Sequence, residues 1–188
     1  MKSTIKDLIN KDISYFKINP VVHLKSFIAK EEATEILTQL NQLKYEENIH
    51  EGEVVRYEVS IKEEKFVFIK QIKEILEEFL QKLGFREGYG FEFFVFKYEE
   101  GHFVPPHQDK ERHKILFMIY IGEFEGGDYI YKIEEDVRHV ELNNGDAVLS
   151  INELGPGNRQ NPIHSVEKIT RGVRYTIAGS FVSKNATI

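Results

Sequence analysis

Gly90-Phe91-Glu92-Phe93-Phe94-Val95-Phe96-Lys97-Tyr98 is the stretch that decides the fold class of this chain. It is dense in aromatic and β-branched residues, apolar on both faces except at Glu92 and Lys97, and bounded by Gly88 and Gly101, so it predicts a buried strand. A second apolar run of strand length, residues 114–121, is followed by a turn over 122–128 that contains Gly126-Gly127. Shorter strand-like segments at 129–133, 137–142, 147–151, 163–169 and 173–182 complete the series, with Asn143-Asn144-Gly145-Asp146 as a strong turn signal between two of them. Short strands with close turns predict a sandwich or barrel, not a parallel α/β sheet.

The N-terminal half has a different period. Ala33, Ile36, Leu37 and Leu40 lie at helical spacing within residues 31–43, beginning near Ser26 or Ala29. Phe66, Ile69, Ile72, Leu76, Phe79, Leu80 and Leu83 form a longer stripe, with Gly84 as its stop. Both helices are expected to buttress one sheet. Fourteen Phe and 41% hydrophobic residues in 188 suffice for a sizeable core, and no linker or repeat divides the chain, so a single domain is expected over 1–188. Within it, 1–88 reads as a supporting segment and 89–183 as the core.

The chain has no Cys, which excludes thiolate metal sites and fits a reducing compartment. No apolar run is long enough to span a membrane and residues 1–10 lack a signal-peptide core, so a cytoplasmic protein is expected. The net charge of −6 weighs against wide contact with a nucleic-acid backbone. Lys110, Arg112, His113 and Lys114 form a local basic cluster, read here as a solvated loop.

Between the two longest strand runs lies Pro105-Pro106-His107-Gln108-Asp109. The prolines forbid a helix before His107. On an extended backbone, side chains two residues apart leave the same face, so His107 and Asp109 can reach one ion, and a second strand can deliver His164. Two imidazoles and one carboxylate form the facial triad of non-haem Fe(II) oxygenases, which leaves three positions open. Chance alone supplies a His-x-Asp in roughly a fifth of chains like this one, and an isolated pair reads equally as a hydrogen-bonded turn. Its neighbours give it meaning.

Tyr98-Glu99-Glu100-Gly101-His102-Phe103, His107-Gln108-Asp109, Glu125-Gly126-Gly127-Asp128, Asn144-Gly145-Asp146-Ala147-Val148, and His164 followed by Gly172-Val173-Arg174 occur in an order that resembles the 2-oxoglutarate- and Fe(II)-dependent dioxygenases, in their prolyl 4-hydroxylase-like branch. The resemblance covers about residues 90 to 183. It implies a mainly β fold with flanking helices, a double-stranded β-helix or jelly-roll core buttressed by the N-terminal helices. It also implies Fe(II) held by His107, Asp109 and His164, with 2-oxoglutarate as cosubstrate, O2 as oxidant and ascorbate as a possible reductant. Arg174 would take the distal carboxylate, since a guanidinium grips a carboxylate with two parallel hydrogen bonds. Tyr120 is the first candidate to add a hydroxyl there, and Tyr98 a second candidate for contacts around the cosubstrate; each reads alternatively as a core aromatic. The implied reaction hydroxylates a C–H bond with release of succinate and CO2, and Asp109 favours hydroxylation over halogenation.

Asp128 and the strand end Ile119-Tyr120-Ile121-Gly122 depart from the usual pattern, which limits what the resemblance says of the substrate. Branch similarity suggests a prolyl or other amino-acid side chain in a peptide or protein; a free amino acid or small metabolite is the alternative. Residues 152–162, with Arg159, form a candidate rim, and residues 46–64, with Arg56 and Tyr57, a candidate lid. An AlkB-type nucleic-acid demethylase is disfavoured by Thr176 and Ser180, which stand where that branch has Asn and a second Arg. A cupin-like metal-binding module without catalysis is the remaining alternative. Neither oligomeric state nor pathway is legible.

Overall fold

A computed structural model describes residues 7, 10–51, 53–62, 66–85 and 88–183, so most of residues 1–10 and the end of segment 46–64 lie outside it. Eleven strands and three helices are named below, each from its sequence cause.

Two antiparallel sheets face each other. The larger has seven strands in the order β1 (Val21–Leu24), β9 (Ala147–Ile151), β6 (His113–Gly126), β11 (Ile169–Ser183), β4 (Tyr89–Tyr98), β3 (Glu53–Ile61) and β2 (Glu46–His50). The smaller has four, in the order β5 (Val104–His107), β10 (Ile163–Val166), β7 (Tyr129–Ile133) and β8 (Asp136–Val140). This is the jelly-roll arrangement that the family resemblance implied, and one of the sandwich or barrel class expected from the short strands.

The aromatic run that opened the reading is β4, and its two apolar faces have two different neighbours. Phe93 and Val95 join Phe117, Ile119, Ile121, Tyr175 and Ile177 in a core beneath the helices. Phe94, Phe96 and Tyr98 line the space between the sheets instead. Strand alternation delivers one set to each side. The helices are α1 (Ile13–Ile18), α2 (Lys30–Leu40) and α3 (Val67–Lys82). Ala33, Ile36, Leu40, Ile69, Ile72, Leu76, Phe79 and Leu80 are buried on that first face, as their spacing predicted. At the end of α3 the Phe85 N–H donates to the Leu80 carbonyl while Gly84 takes φ +90°, a left-handed turn that only glycine adopts cheaply.

Three sequence expectations change. The apolar run at 114–121 is the middle of a longer strand: β6 continues to Gly126, because Phe124 and Glu123 still pair with Gly172 and Val173 of β11. The segment 46–64, a candidate lid, carries regular structure: β2 and β3 form a hairpin that extends the large sheet through β3–β4 pairing. The N-terminal segment is more than helical support, since β1 pairs with β9 and the buried Asp146 carboxylate accepts hydrogen bonds from the Ser26 and Asn143 amides while facing His23 Nε2 at 2.9 Å. Among the described residues no helix is long and apolar enough to cross a membrane.

Because the Phe79 ring is buried edge-on to Phe16 at 5.1 Å, its removal leaves a void. Phe79→Ala is expected to lower the unfolding free energy by about 3–5 kcal/mol, read as a fall in urea midpoint at unchanged slope.

Candidate metal centre

The second sheet brings the three ligand candidates together. His107 ends β5 and stands directly opposite His164 of β10 in the antiparallel register, and Asp109 follows two residues past the strand. Asp109 Oδ1 lies 3.9 Å from His107 Nε2 and 3.8 Å from His164 Nε2. One ligand atom from each of the three falls within 4.8 Å of the others, a spacing that one ion can bridge.

The backbone also sets the imidazoles' protonation. His107 Nδ1 faces the Pro105 carbonyl at 2.9 Å and His164 Nδ1 faces the Pro162 carbonyl at 3.1 Å. A carbonyl only accepts, so each Nδ1 carries the proton and each Nε2 presents its lone pair. Burial holds the His164 pKa below its ordinary value, partly countered by Asp109, which keeps the ring neutral near pH 7.

Asp109 is oriented from behind. The fully buried Asn152, just past β9, donates from Nδ2 to Asp109 Oδ2 at 2.9 Å, leaving Oδ1 toward the histidines. Asn161 Nδ2 and Arg159 Nη2 donate to the Asp109 backbone carbonyl at 2.9 and 3.1 Å, and Gln108 Nε2 donates to the Asn161 carbonyl at 2.7 Å. The loop 152–162, read from the sequence as a rim, therefore braces the ligand loop, and Arg159 serves there by its contact with Asp109.

Beyond the triad, a cavity of about 560 Å³ runs between the sheets. Arg174, from the middle of β11, is fully buried in its wall. The guanidinium carbon lies 4.5 Å from the Tyr98 ring centre and 5.3 Å from that of Tyr120, and Nη1 donates to the Gly127 carbonyl. Gly127 has φ +74°, and a Cβ there would come within 2.7 Å of Nη1, so the glycine makes room for the cation. Burial pulls the Arg174 pKa down while Tyr98 and Tyr120 push it back up. Among the described residues its Nε and Nη2 have no hydrogen-bond partner, and neither do the hydroxyls of Thr176 and Tyr129 in the same cavity. Buried donors left open in this way fit an anionic, oxygen-rich ligand reaching from the metal toward Arg174.

Tyr98 and Tyr120 thus both stand where the sequence reading placed them, beside Arg174, with the Tyr120 hydroxyl directed at the Met118 sulfur at 3.6 Å. Arg56 lines the cavity. Tyr57 does not: alternation along β3 sends it to the opposite face, where its ring meets His102 at 5.2 Å. The basic cluster at 110–114 is also partly a cavity wall, since Lys110, Arg112 and His113 line it.

Sequence reasoning missed Asn152 and Tyr129. The Tyr129 ring stacks on His164 at 5.4 Å and 22°. Burial raises its hydroxyl pKa well above the ordinary value, and Ser150 tempers that rise without a well-aligned hydrogen bond. Tyr129 had looked like an ordinary strand position, and Asn152 like the first residue of the rim loop. Only Tyr129's place directly after Gly126-Gly127-Asp128 hinted at more.

No protein-family model matches the chain, and no relative was found among curated proteins. Solved structures do match. A prolyl hydroxylase from Trichoplax adhaerens, in complex with a hypoxia inducible factor oxygen degradation domain peptide fragment, superposes with TM-score 0.74 at 14% identity, covering 97% of this chain and 92% of that one. The fold is that of the prolyl hydroxylases. A Pseudomonas putida prolyl-4-hydroxylase gives TM-score 0.70 at 16% identity over 91% of this chain and 96% of its own. The viral collagen prolyl hydroxylase of Paramecium Bursaria Chlorella virus-1, in its 2OG complex, gives 0.67 at 14% over 87% and 96%. Identities this low speak to the hydroxylase fold alone.

Asn152→Ala is expected to weaken binding of Fe(II) or Co(II) roughly 10- to 100-fold, the usual effect of removing a group that orients a metal ligand, measured by calorimetry under nitrogen. Burial also lowers the pKa of His102, His113 and His164 below 6.5, so under acid the folded chain binds fewer protons than the unfolded one. Their contribution to stability is present above about pH 6.5 and lost below it. Urea midpoints of the metal-free protein should therefore fall between pH 7.5 and 5.5.

Proposed function

We propose that this chain is a 2-oxoglutarate- and Fe(II)-dependent dioxygenase of the prolyl 4-hydroxylase-like branch, hydroxylating an unactivated C–H bond of a prolyl or other amino-acid side chain. The observation that carries the reading is one cavity holding both a His-Asp-His set with lone pairs aimed inward and a buried guanidinium with two unused donors. His107, Asp109 and His164 would hold the iron, a mixed nitrogen and oxygen donor set suited to it. Arg174, with Tyr120 and Tyr98 around it, would hold the distal carboxylate of 2-oxoglutarate, and Tyr129 and Thr176 supply further hydroxyls. When bound, iron and 2-oxoglutarate would supply the oxidative chemistry, in which O2 takes two electrons from 2-oxoglutarate, leaving succinate with one oxygen atom and CO2, and two from the substrate C–H bond, which gains the other atom as hydroxyl.

The chain's own residues bind, orient and exclude water. Phe94, Phe96 and Met118 give the cavity shared with the triad an apolar lining, which would keep water away from the groups bound there. Ascorbate is the expected reductant if the iron is oxidised without turnover. A storage module that merely keeps a metal gives Arg174 no occupant, although burying a guanidinium costs several kcal/mol. The chain's net charge of −6 and the absence of the AlkB-type second arginine argue against a nucleic-acid substrate.

Anaerobic titration with Fe(II) and then 2-oxoglutarate should give a weak visible charge-transfer band, and admission of O2 should release succinate. His164→Ala and Asp109→Ala should abolish the band. Arg174→Met should weaken 2-oxoglutarate binding by roughly 30-fold or more, as loss of one partner in a buried charge pair does. A wild-type protein that gives no band, or triad variants that keep it, would sink the assignment.

A further inference from the structure

The mouth of the cavity carries charges that neither a metal nor a dicarboxylate cosubstrate uses. Arg56 and Glu58 leave β3 on the cavity side, and Asn48 of β2 stands opposite Arg56 in the register. The Arg56 guanidinium lies over the Phe96 ring at 4.4 Å, and Phe96 is parallel to Phe94 at 6.0 Å and 4°. Stacking therefore holds a long, flexible cation as a plate.

One oxygen gathers the polar contacts of this group. Asn48 Nδ2 donates to Glu58 Oε2 at 2.9 Å, while Arg56 Nε and Nη2 reach the same atom only at 3.4 Å each, longer than a well-formed bond. Arg56 Nη1 and Glu58 Oε1 have no partner among the described residues. The loop after Asp109 adds Lys110, whose exposed ammonium is likewise unpartnered among them. Arg112 is different: it is committed to Glu92 through two bonds of 2.7 and 2.9 Å.

Among the described residues, an unpartnered guanidinium nitrogen, an unpartnered carboxylate oxygen and an unpartnered ammonium line one cavity and match a ligand bearing both a carboxylate and an ammonium. The backbone of an internal peptide segment carries neither charge, whereas the backbone atoms of a free amino acid carry both. We infer that the substrate of this site is a free α-amino acid, its carboxylate held by Arg56 and Lys110, its ammonium by Glu58, and its side chain laid along Phe94 and Phe96 toward the triad. The inference rests on the oxygenase reading above and names the class of its substrate.

The test is calorimetry under nitrogen. Each of the twenty standard L-amino acids, and the N-acetyl, C-amide derivative of each, is titrated into the protein with Fe(II) and 2-oxoglutarate and, in parallel, into the metal-free protein. At least one free amino acid is expected to bind at least roughly tenfold more tightly than its blocked derivative. Arg56→Gln and Glu58→Gln should each weaken that amino acid roughly 10- to 100-fold while 2-oxoglutarate affinity stays at the wild-type value. Blocked derivatives that bind as tightly as the free acids, variants that bind like wild type, or the absence of binding by all twenty would each overturn the inference. Failure of 2-oxoglutarate to bind the wild-type protein is a separate result, which strikes the oxygenase reading instead.

Discussion

A guanidinium buried at the centre of the molecule sets the terms for everything around it. Taking a permanently charged side chain out of water costs several kcal/mol even after the protein relaxes, and Arg174 is fully buried with a well-aligned hydrogen bond, among the described residues, to the Gly127 carbonyl alone. The aromatic faces of Tyr98 and Tyr120 offset part of that cost. What they leave open, two donor nitrogens facing a cavity, is a standing demand for an anion. Gly122 and Gly127 belong to the same constraint. Gly122 pairs with Arg174 across β6 and β11 without a side chain to crowd it, and Gly127 lets a carbonyl approach the charge.

The strand that carries Arg174 also joins the two halves of the protein. β11 pairs with β4 on one side and β6 on the other, and its alternate residues serve different neighbours. Tyr175 and Ile177 go to the core under the helices, while Arg174, Thr176 and Ala178 line the cavity. The helices therefore fix the site indirectly, by holding one face of the sheet whose other face presents the cation. The three candidate ligands come from the opposite sheet, His107 and His164 within it and Asp109 two residues past β5. A cavity that needs both sheets couples ligand binding to intact packing between them.

Charge divides the site into three zones. The triad concentrates acceptor atoms: two imidazole lone pairs fixed by backbone carbonyls, and one carboxylate oxygen turned inward by Asn152. The depth beside Arg174 concentrates donors. The same cavity carries both signs on Arg56, Glu58 and Lys110, the last directly after Asp109 in the chain. Such a sequence of environments sorts a ligand by where its charges lie along its length, which is a stronger filter than volume.

Strand periodicity and residue type made much of this legible in the chain alone. The aromatic run at 90–98, the helical stripe ending at Gly84, the His107-x-Asp109 pair with His164, and Arg174 as a lone cation in an apolar strand all depend on local pattern and on chemistry intrinsic to the residues. The tertiary structure alone decided the rest, because it turns on registers between segments far apart in sequence. Tyr57 was tied to Arg56 by proximity in the chain, yet the pleat separates them onto opposite faces. Asn152 reaches Asp109 across 43 positions, and Tyr129 reaches His164 because β7 pairs with β10. The hairpin at 46–61 looked like a loop because an exposed edge strand is polar on its open side and carries little hydrophobic period. Which atoms can bind iron was thus written locally; which neighbours aim them was settled by long-range pairing.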